Sequence, residues 1–178
     1  MRSRLSLAGR ARRIRLLVLD VDGVLTDGQL LYGRDGESLK GFDIHDGLAL
    51  VAWKQSGFLL AVLSGRRSSA SARRLAELGL EEVYQGLAKK LPKYIDILQR
   101  LNCRDHEVAV VGDDLPDLPL MTRAGLAIAP ANAVPEVKAQ AHVVTRRAGG
   151  QGAVREAIEL ILRAQGRWNH LVRRYTAG

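Results

Sequence analysis

The stretch Ile14-Arg15-Leu16-Leu17-Val18-Leu19-Asp20-Val21-Asp22-Gly23 decides how this chain folds. Residues 14–19 are almost all apolar and do not alternate with polar residues, which predicts a strand buried on both faces. Asp20 stands at the carboxyl end of this strand and Asp22 on the turn that follows, where Gly23 lets the backbone bend without a side-chain clash. Open α/β folds place their chemistry beyond the carboxyl ends of parallel strands, so the two aspartates are the first candidate site residues.

The spacing of the two aspartates suits a division of labour in phosphoryl transfer. Asp20, held by the strand, can attack a phosphoryl group in line, whereas Asp22 can protonate the leaving oxygen and later deprotonate a water. Two close carboxylates resist ionising together, and a divalent cation would keep Asp20 ionised and offset the charge on the phosphate. A turn rich in Asp and Gly after a strand is also a common structural feature, so the motif alone leaves both interpretations open.

Further apolar runs alternate with helical patterns along the chain. Strands that alternate with helices indicate a parallel sheet with right-handed crossovers. The predicted fold class is therefore α/β, a three-layer Rossmann-like parallel sheet flanked by helices, and no insert between the candidate motifs is large enough for a cap domain. Strands are predicted over residues 58–63, 82–84, 108–111, 126–129 and 142–144, and helices over 46–55 (or from 47), 69–78 (capped at 68 or 69), from 89 onward and over 153–164.

Residues 29–43 depart from the alternating pattern. Two short segments, residues 29–32 and 38–42, flank Asp35-Gly36, which is a hairpin turn signal. We expect a protruding β-hairpin, and because a lone two-stranded hairpin is marginal in water, we expect it to pack on something, with a neighbouring subunit as the natural candidate. The predicted organisation is a basic N-terminal arm over residues 1–13, a domain over residues 14–166 and a C-terminal tail over residues 167–178.

Composition limits the classes of function. The 178 residues are enough for one domain with a real core, and no apolar run approaches the ~20 residues needed to span a bilayer, so no membrane partner is expected. The single cysteine, Cys103, excludes an internal disulfide and suits a reducing cytosol. The net charge of +8 raises nucleic acid as a partner, but aromatic residues make up only 4% of the chain and offer few stacking platforms, so no nucleic acid is expected.

Polar groups of complementary kinds follow the predicted strands. Ser64 follows the second strand, and its hydroxyl can bind a phosphate oxygen. Lys90, at the start of a helix, can place a positive charge against the phosphate and the nucleophile. Asp113 and Asp114 follow the fourth strand and can hold a cation that prefers oxygen ligands. Each has a structural alternative (a turn, a solvated lysine, a helix cap formed with Asp117), but their combination at strand ends favours a phosphoryl-transfer site.

The motifs taken together resemble those of a known family. Residues 20–25, Tyr84-Gln85-Gly86, Gly112-Asp113-Asp114-Leu115 and residues 148–156 are similar to the cap-less branch of the haloacid dehalogenase superfamily, most closely to the family of 3-deoxy-D-manno-octulosonate 8-phosphate phosphatases. The resemblance extends from about residue 14 to about residue 166. It implies Mg²⁺-dependent hydrolysis of that eight-carbon sugar acid phosphate through a phosphoaspartate, in lipopolysaccharide precursor biosynthesis. It also implies a cytoplasmic homotetramer in which hairpins partly cover neighbouring active sites.

The resemblance implies a role for each matched residue. Asp20 would be the nucleophile and a metal ligand, Asp22 the acid/base and a ligand through its carbonyl oxygen, and Asp113 the third protein ligand to Mg²⁺. Ser64 and Lys90 would complete the catalytic set. The remaining matched positions are two that support the metal shell, Asp114 and Asp117, and those that face the substrate, namely Asp43, Ile44, His45, Asp46, Gly47, Arg66 and Arg74 together with Asp22 and Lys90.

Departures from the family's pattern leave the substrate open. The family more often has Asn at position 43, Arg at position 45 and Arg at position 51, where this chain has Asp43, His45 and Val51. A nine-carbon keto-deoxy sugar acid phosphate is therefore an alternative substrate. A signalling receiver domain also combines an acidic cluster, a hydroxyl and a lysine, although receivers lack Asp-x-Asp on the first strand. The glycine run at residues 149–152 fits either an anion cradle or a hinge.

Overall fold

The strands of the central sheet form where the sequence has short apolar runs. The computed structural model of the chain describes residues 5–34 and 36–176. Two antiparallel strands, β2 and β3, form the hairpin, and six parallel strands form a sheet in the spatial order β5-β4-β1-β6-β7-β8. The strands are β1 (Leu16–Leu19), β2 (Leu31–Gly33), β3 (Gly36–Leu39), β4 (Leu59–Leu63), β5 (Val83–Tyr84), β6 (Val108–Val111), β7 (Leu126–Ala129) and β8 (Val143–Val144).

Helices cover both faces of the sheet. Leu17 and Leu19 of β1 join one core with buried residues of α2, α7 and α8, whereas Leu16 and Val18 join a second core with residues of α4, α5 and α6. The two cores on opposite faces confirm the predicted three-layer α/β fold. The helices are α1 (Leu7–Ala11), α2 (Ile44–Gln55), α3 (Ser69–Glu77), α4 (Lys90–Arg100), α5 (Leu118–Met121), α6 (Pro135–Gln140), α7 (Ala153–Ala164) and α8 (Trp168–Thr176).

The strand order places the candidate residues at one edge of the sheet. From β1 the chain moves outward through β4 and β5, then crosses back to β6 on the other side of β1. Leu19 at the end of β1 pairs with Val62 of β4 and Val111 of β6, so all three strands finish close together. Such a reversal of strand order opens a crevice at the carboxyl ends of the strands, and ligands bind there in open α/β sheets.

Local capping sets where α2 begins. The Asp43 carboxylate accepts hydrogen bonds from the backbone N–H groups of His45 (2.6 Å) and Asp46 (3.3 Å), so the helix starts at Ile44, before the start that the sequence predicts. Capping of this kind satisfies amides that have no partner inside the helix. The beginning of α2 is therefore fixed by a side chain that the sequence analysis assigned to substrate binding.

Both ends of the described chain pack against the domain. In the predicted N-terminal arm, Ala11 of α1 is fully buried and Arg10 Nη1 donates a 2.7 Å hydrogen bond to the Gly125 carbonyl. In the predicted C-terminal tail, Trp168 and Leu171 of α8 are buried in the larger core. Residues 1–4, 177 and 178 lie outside the described residues, as does Asp35, which the sequence predicts in the hairpin turn. Within residues 5–34 and 36–176, no helix combines the length and the apolar character that crossing a membrane requires.

Candidate active site

A cavity of about 260 Å³ lies at the carboxyl ends of β1, β4 and β6. It is the crevice that the strand order opens, and its walls come from the loops that follow the three strands and from the first residue of α4. Most of the predicted catalytic and metal-shell residues lie on these walls, together with Arg66, a predicted substrate contact. The predicted residues that line the cavity are Asp20, Asp22, Ser64, Arg66, Lys90, Asp113 and Asp114.

Lys90 is a buried cation among carboxylates. Its Nζ lies 2.9 Å from Asp20 Oδ1 and 2.7 Å from Asp117 Oδ1. Burial lowers the pKa of the Lys90 ammonium, but the two carboxylates outweigh it and the net pKa is raised. The preceding Lys89 is exposed, so the structure places Lys90 and not Lys89 in the site.

Three carboxylates converge beside this lysine. Asp20, Asp113 and Asp117 each have an oxygen within 4.8 Å of the others. Burial, reinforced by Asp117, raises the pKa of Asp20 to about 6, and burial, reinforced by Asp20, raises the pKa of Asp113 to about 8. Within the described residues, the buried Asp113 Oδ1 accepts no hydrogen bond. A buried carboxylate oxygen without a hydrogen bond, Asp113 Oδ1, beside two further carboxylates suits a hard divalent cation such as Mg²⁺, which prefers oxygen ligands.

Asp117 is engaged differently from the other two carboxylates. Its Oδ1 accepts a hydrogen bond from Lys90, and its Oδ2 accepts hydrogen bonds from the backbone N–H of Asp113 (3.1 Å) and Asp114 (3.5 Å). Because both oxygens already have protein donors, Asp117 holds the lysine and the loop after β6 in place. This geometry suits the supporting position expected for Asp117 and leaves Asp20 and Asp113 to face a cation.

The turn after Asp22 packs directly on the loop after β6. Gly23 has a φ of +82°, and a Cβ at this position would overlap the Asp113 carboxylate. Only glycine satisfies both conditions. The close approach keeps Asp113 next to the Asp-x-Asp segment, as a shared cation site requires.

Two cations approach the Asp22 carboxylate. Lys40, which follows β3 of the hairpin, forms an ion pair with Asp22 Oδ1, and its side chain is completely buried. Arg66 Nε lies 3.7 Å from Asp22 Oδ2, and Arg66 Nη2 lies 3.4 Å from the Tyr32 hydroxyl of β2. The hairpin therefore contributes directly to the site of its own chain, which the sequence analysis did not predict.

Ser64 completes the polar wall at the end of β4. Only 3% of the residue is exposed, and its Oγ accepts a 3.3 Å hydrogen bond from the backbone N–H of Arg66. This bond holds the hydroxyl at the turn after the strand, next to the cavity. Ser64, Gly65 and Arg66 line the same cavity as Asp20.

Comparison with known proteins identifies the family. Residues 80–158 match the model of the haloacid dehalogenase-like hydrolases. The 3-deoxy-D-manno-octulosonate 8-phosphate phosphatase of Escherichia coli (strain K12) is 45% identical over 158 residues, which are 89% of this chain and 84% of that protein. The chain belongs to the haloacid dehalogenase-like hydrolases. This membership excludes the signalling receiver alternative.

Solved haloacid dehalogenase-like structures share the whole fold. A probable YrbI family phosphatase from Pseudomonas syringae is 44% identical with a TM-score of 0.93, and the match covers 97% of this chain and 98% of that one. The 3-deoxy-D-manno-octulosonate 8-phosphate phosphatase from Moraxella catarrhalis, solved with magnesium, phosphate and KDO, is 39% identical with a TM-score of 0.91 and coverage of 95% and 97%.

The other predicted substrate residues do not line the catalytic cavity. Asp43 caps α2, and Asp46 Oδ1 accepts a 2.6 Å hydrogen bond from the backbone N–H of Arg155 at the start of α7. Ile44 is 74% exposed, and the exposed His45 lines a separate cavity of about 590 Å³. At Gly47 the absence of a Cβ lets the Arg74 guanidinium pack on α2. Within one chain these residues surround the start of α2.

Lys40 is a site residue that the sequence analysis did not single out. It belongs to no recognised motif, and the chain between it and Asp22 includes the hairpin. It falls inside the predicted hairpin segment over residues 38–42, and nothing in the pattern of that segment indicates contact with a carboxylate. Only folding of the hairpin over the sheet edge brings the two side chains together.

Proposed function

We propose that this chain is a Mg²⁺-dependent phosphatase that hydrolyses 3-deoxy-D-manno-octulosonate 8-phosphate to the free sugar acid and phosphate. The observation that carries this proposal is the convergence of Asp20, Lys90 and Asp113 at the end of the first strand of a haloacid dehalogenase-like fold. A carboxylate, a cation and a second carboxylate in this arrangement suit attack on an electrophilic phosphorus atom.

In the first half-reaction, an Asp20 carboxylate oxygen attacks phosphorus. The bond between phosphorus and the sugar oxygen breaks, and the Asp22 carboxyl gives its proton to the departing oxygen. Lys90 stabilises charge on Asp20 and on the transferring phosphoryl group, and the Ser64 hydroxyl donates to a phosphoryl oxygen. The product of this step is a phosphoaspartate at Asp20.

In the second half-reaction, the Asp22 carboxylate removes a proton from water. The water oxygen bonds to phosphorus, the bond to Asp20 breaks, and inorganic phosphate leaves. Asp22 regains the proton that it lost in the first half-reaction, so the cycle closes. The same residue therefore serves both steps, which requires a fixed position relative to Asp20.

The cation site belongs to the same proposal. Asp20, Asp113 and the Asp22 carbonyl would hold Mg²⁺, with Asp114 and Asp117 in support. Bound Mg²⁺ supplies charge neutralisation between the nucleophile and the phosphate. The Moraxella catarrhalis phosphatase binds a magnesium ion, a phosphate ion and KDO in its crystal structure, which supports this assignment for the present chain.

A panel assay tests the proposed substrate. Phosphate release is measured with Mg²⁺ on the eight-carbon sugar acid phosphate, its nine-carbon counterpart and simple sugar phosphates, for wild type and Asp20→Asn. We expect the highest kcat/KM on the eight-carbon ester and no turnover in the variant, because an amide cannot attack phosphorus. Preference for the nine-carbon ester would change the substrate assigned, and release from neither keto-deoxy sugar acid phosphate would refute the proposal.

We also propose that the chain works as a cytoplasmic homotetramer assembled through its hairpins. Leu31, Tyr32 and Leu39 on the hairpin are 50–66% exposed, and a second copy would remove them from water. Assembly there would bring a neighbour next to Arg66 and the open catalytic cavity. The one cysteine is free, which suits a reducing compartment.

A further inference from the structure

Hydrogen bonds from residues outside the catalytic cavity hold the turn that carries Asp22 in place. The Gly150 N–H donates a 3.1 Å hydrogen bond to the Val24 carbonyl. The Asn132 side chain, in the loop after β7, connects this turn to the loop before α7. Its Nδ2 lies 3.4 Å from the Gly23 carbonyl oxygen, and its Oδ1 accepts a 2.7 Å hydrogen bond from the Gly149 N–H. The loop after β7 and the loop before α7 thus both hold the turn.

Close backbone packing reinforces these hydrogen bonds. A Cβ at Gly149 would overlap the Gly23 carbonyl, and a Cβ at Gly23 would overlap the Asp113 carboxylate. Gly23 is therefore held between Asp113 on the cavity side and Gly149 on the outer side. Since Gly23 follows Asp22 directly, a shift of its carbonyl also moves the Asp22 backbone.

The first three amides of the glycine run at residues 149–152 are bonded within the protein and are not available for an anion cradle. The Gly149 and Gly150 N–H groups donate to Asn132 and Val24, and the Gln151 N–H donates to the Ala148 carbonyl. Directly after the run, the Arg155 N–H in the first turn of α7 donates to the Asp46 carboxylate. The run therefore supports the turn after β1 through its backbone. The sequence alone predicted either an anion cradle or a hinge here.

We propose that Asn132 and Gly149 are positioning residues that hold Asp22 where it exchanges protons with the leaving oxygen and with water. Neither residue is among those that line the catalytic cavity, and both act through the Gly23 carbonyl. The inference rests on the proposed phosphatase function, in which the Asp22 proton moves to the sugar oxygen as the bond from that oxygen to phosphorus breaks.

Comparing substrates with different leaving groups tests whether Asp22 is correctly placed to donate its proton. A sugar alkoxide is a poor leaving group and needs the proton, whereas p-nitrophenolate is a stable anion that leaves without one. The parameter kcat/KM covers binding and formation of the phosphoaspartate, and both esters form the same intermediate. At saturating Mg²⁺, which offsets any weakening of the proposed Asp22 carbonyl ligand, misplacement of the Asp22 carboxyl lowers kcat/KM for the sugar ester selectively, and a general loss of folded enzyme lowers it for both esters equally.

The test compares Asn132→Ala with wild type and with Asn169→Ala, a matched exposed asparagine on α8. kcat/KM is measured with Mg²⁺ on 3-deoxy-D-manno-octulosonate 8-phosphate and on p-nitrophenyl phosphate. For Asn132→Ala we expect a loss of about tenfold to a hundredfold on the sugar ester, because a small displacement of an acid costs much of its contribution, and less than about threefold on the aryl ester. Asn169→Ala retains wild-type values on both.

Two further variants separate positioning from stability. Asn132→Asp keeps the acceptor for the Gly149 N–H but replaces the Nδ2 donor by an oxygen that repels the Gly23 carbonyl, so it is expected to lose activity on the sugar ester as Asn132→Ala does. Gly149→Ala is expected to show the same leaving-group selectivity as Asn132→Ala, with a larger loss. Equal losses on both esters, or no loss in Asn132→Ala, would overturn the inference. A wild type inactive on both esters would instead overturn the proposed function, and the inference with it.

Discussion

Lys90 illustrates how a single buried residue organises the site. Its ammonium contacts the proposed nucleophile Asp20 and the supporting carboxylate Asp117, and only 3% of its side chain is exposed. An ammonium is tolerated at such depth because two carboxylates compensate its lost hydration. In the proposed reaction, the same contacts place positive charge where the attacking oxygen and the phosphoryl group meet.

Substitution of Lys90 tests this role. Lys90→Met keeps the length and apolar stem of the side chain and removes the charge. We expect kcat to fall by about a hundredfold to a thousandfold, the effect of deleting one preorganised electrostatic contact. Lys89→Met, one residue earlier and exposed, is the control and is expected to retain activity. Similar losses in both variants would show that the position of the charge is unimportant.

The ion pair between Lys40 and Asp22 leads to a separate prediction. The lysine reaches Asp22 from the hairpin, and Arg66 is the second cation near that carboxylate. In Lys40→Met we expect kcat/KM for the sugar ester to fall by about tenfold, because the acid loses a charge-assisted hydrogen bond that orients it. The measurement is steady-state phosphate release, with circular dichroism to establish that the variant is folded. An unchanged kcat/KM would remove Lys40 from the functional site.

The residues that lie around the catalytic cavity were predictable because they follow apolar runs directly. Asp20, Ser64 and Asp113 each come within two residues of a strand end, and parallel strands finish at the same edge. The roles of Asp43 and Asp46 could not be read in the same way. A carboxylate next to a helix start can face a ligand or cap a helix, and only packing of α2 against α7 distinguishes these uses.

At the scale of elements, the junction of α2 and α7 depends on a buried carboxylate. Asp46 is 1% exposed and accepts a hydrogen bond from the Arg155 N–H at the start of α7. Burial raises the pKa of Asp46 to about 6 from its ordinary value of 3.8. The folded state therefore binds a proton more tightly than the unfolded state does, so stability from this group is present below about pH 4 and is lost as the pH rises through about 6.

The pH dependence of stability tests this account of Asp46. Asp46→Asn keeps an acceptor for the Arg155 N–H and cannot ionise. Relative to the variant, wild type is expected to lose up to about 3 kcal/mol of unfolding free energy between pH 4 and pH 7, because its pKa is higher in the folded state than in the unfolded state. Urea unfolding of both proteins across this range measures the difference. Parallel curves would show that Asp46 ionises as readily in the folded state as in the unfolded state.

The elements themselves were predictable to different degrees. The strand over residues 108–111 and the helix over residues 153–164 have the bounds that the sequence predicts, because their apolar patterns are strong and their ends carry breaking residues. The short helices α5 and α6 were not predicted. They span four and six residues beside prolines, and helices of that length depend on tertiary packing rather than on their own pattern. α8 was missed for a similar reason, since Trp168 and Leu171 hold an otherwise polar segment on the core.

At the scale of the whole molecule, the exposed apolar side chains on the hairpin predict assembly. Leu39, on the strand that leads to Lys40, is 65% exposed. We expect wild type to sediment as a tetramer and Leu39→Asp to dissociate, because a buried and unpaired carboxylate opposes association. The control Val172→Asp changes an exposed apolar residue on α8, and we expect it to stay tetrameric. Analytical ultracentrifugation decides between these outcomes, and a monomeric wild type would contradict the proposed assembly.

The proposed chemistry depends on Asp20 acting as the nucleophile. The most direct measurement traps the covalent intermediate in Asp22→Asn, which lacks the base for the second half-reaction. The variant is mixed with Mg²⁺ and p-nitrophenyl phosphate, whose leaving group needs no acid, then quenched in acid, reduced with borohydride, digested and analysed by mass spectrometry. We predict that Asp20 is converted to homoserine, the reduction product of an acyl phosphate. Unmodified Asp20, or a phosphoryl group on Ser64 instead, would contradict the account.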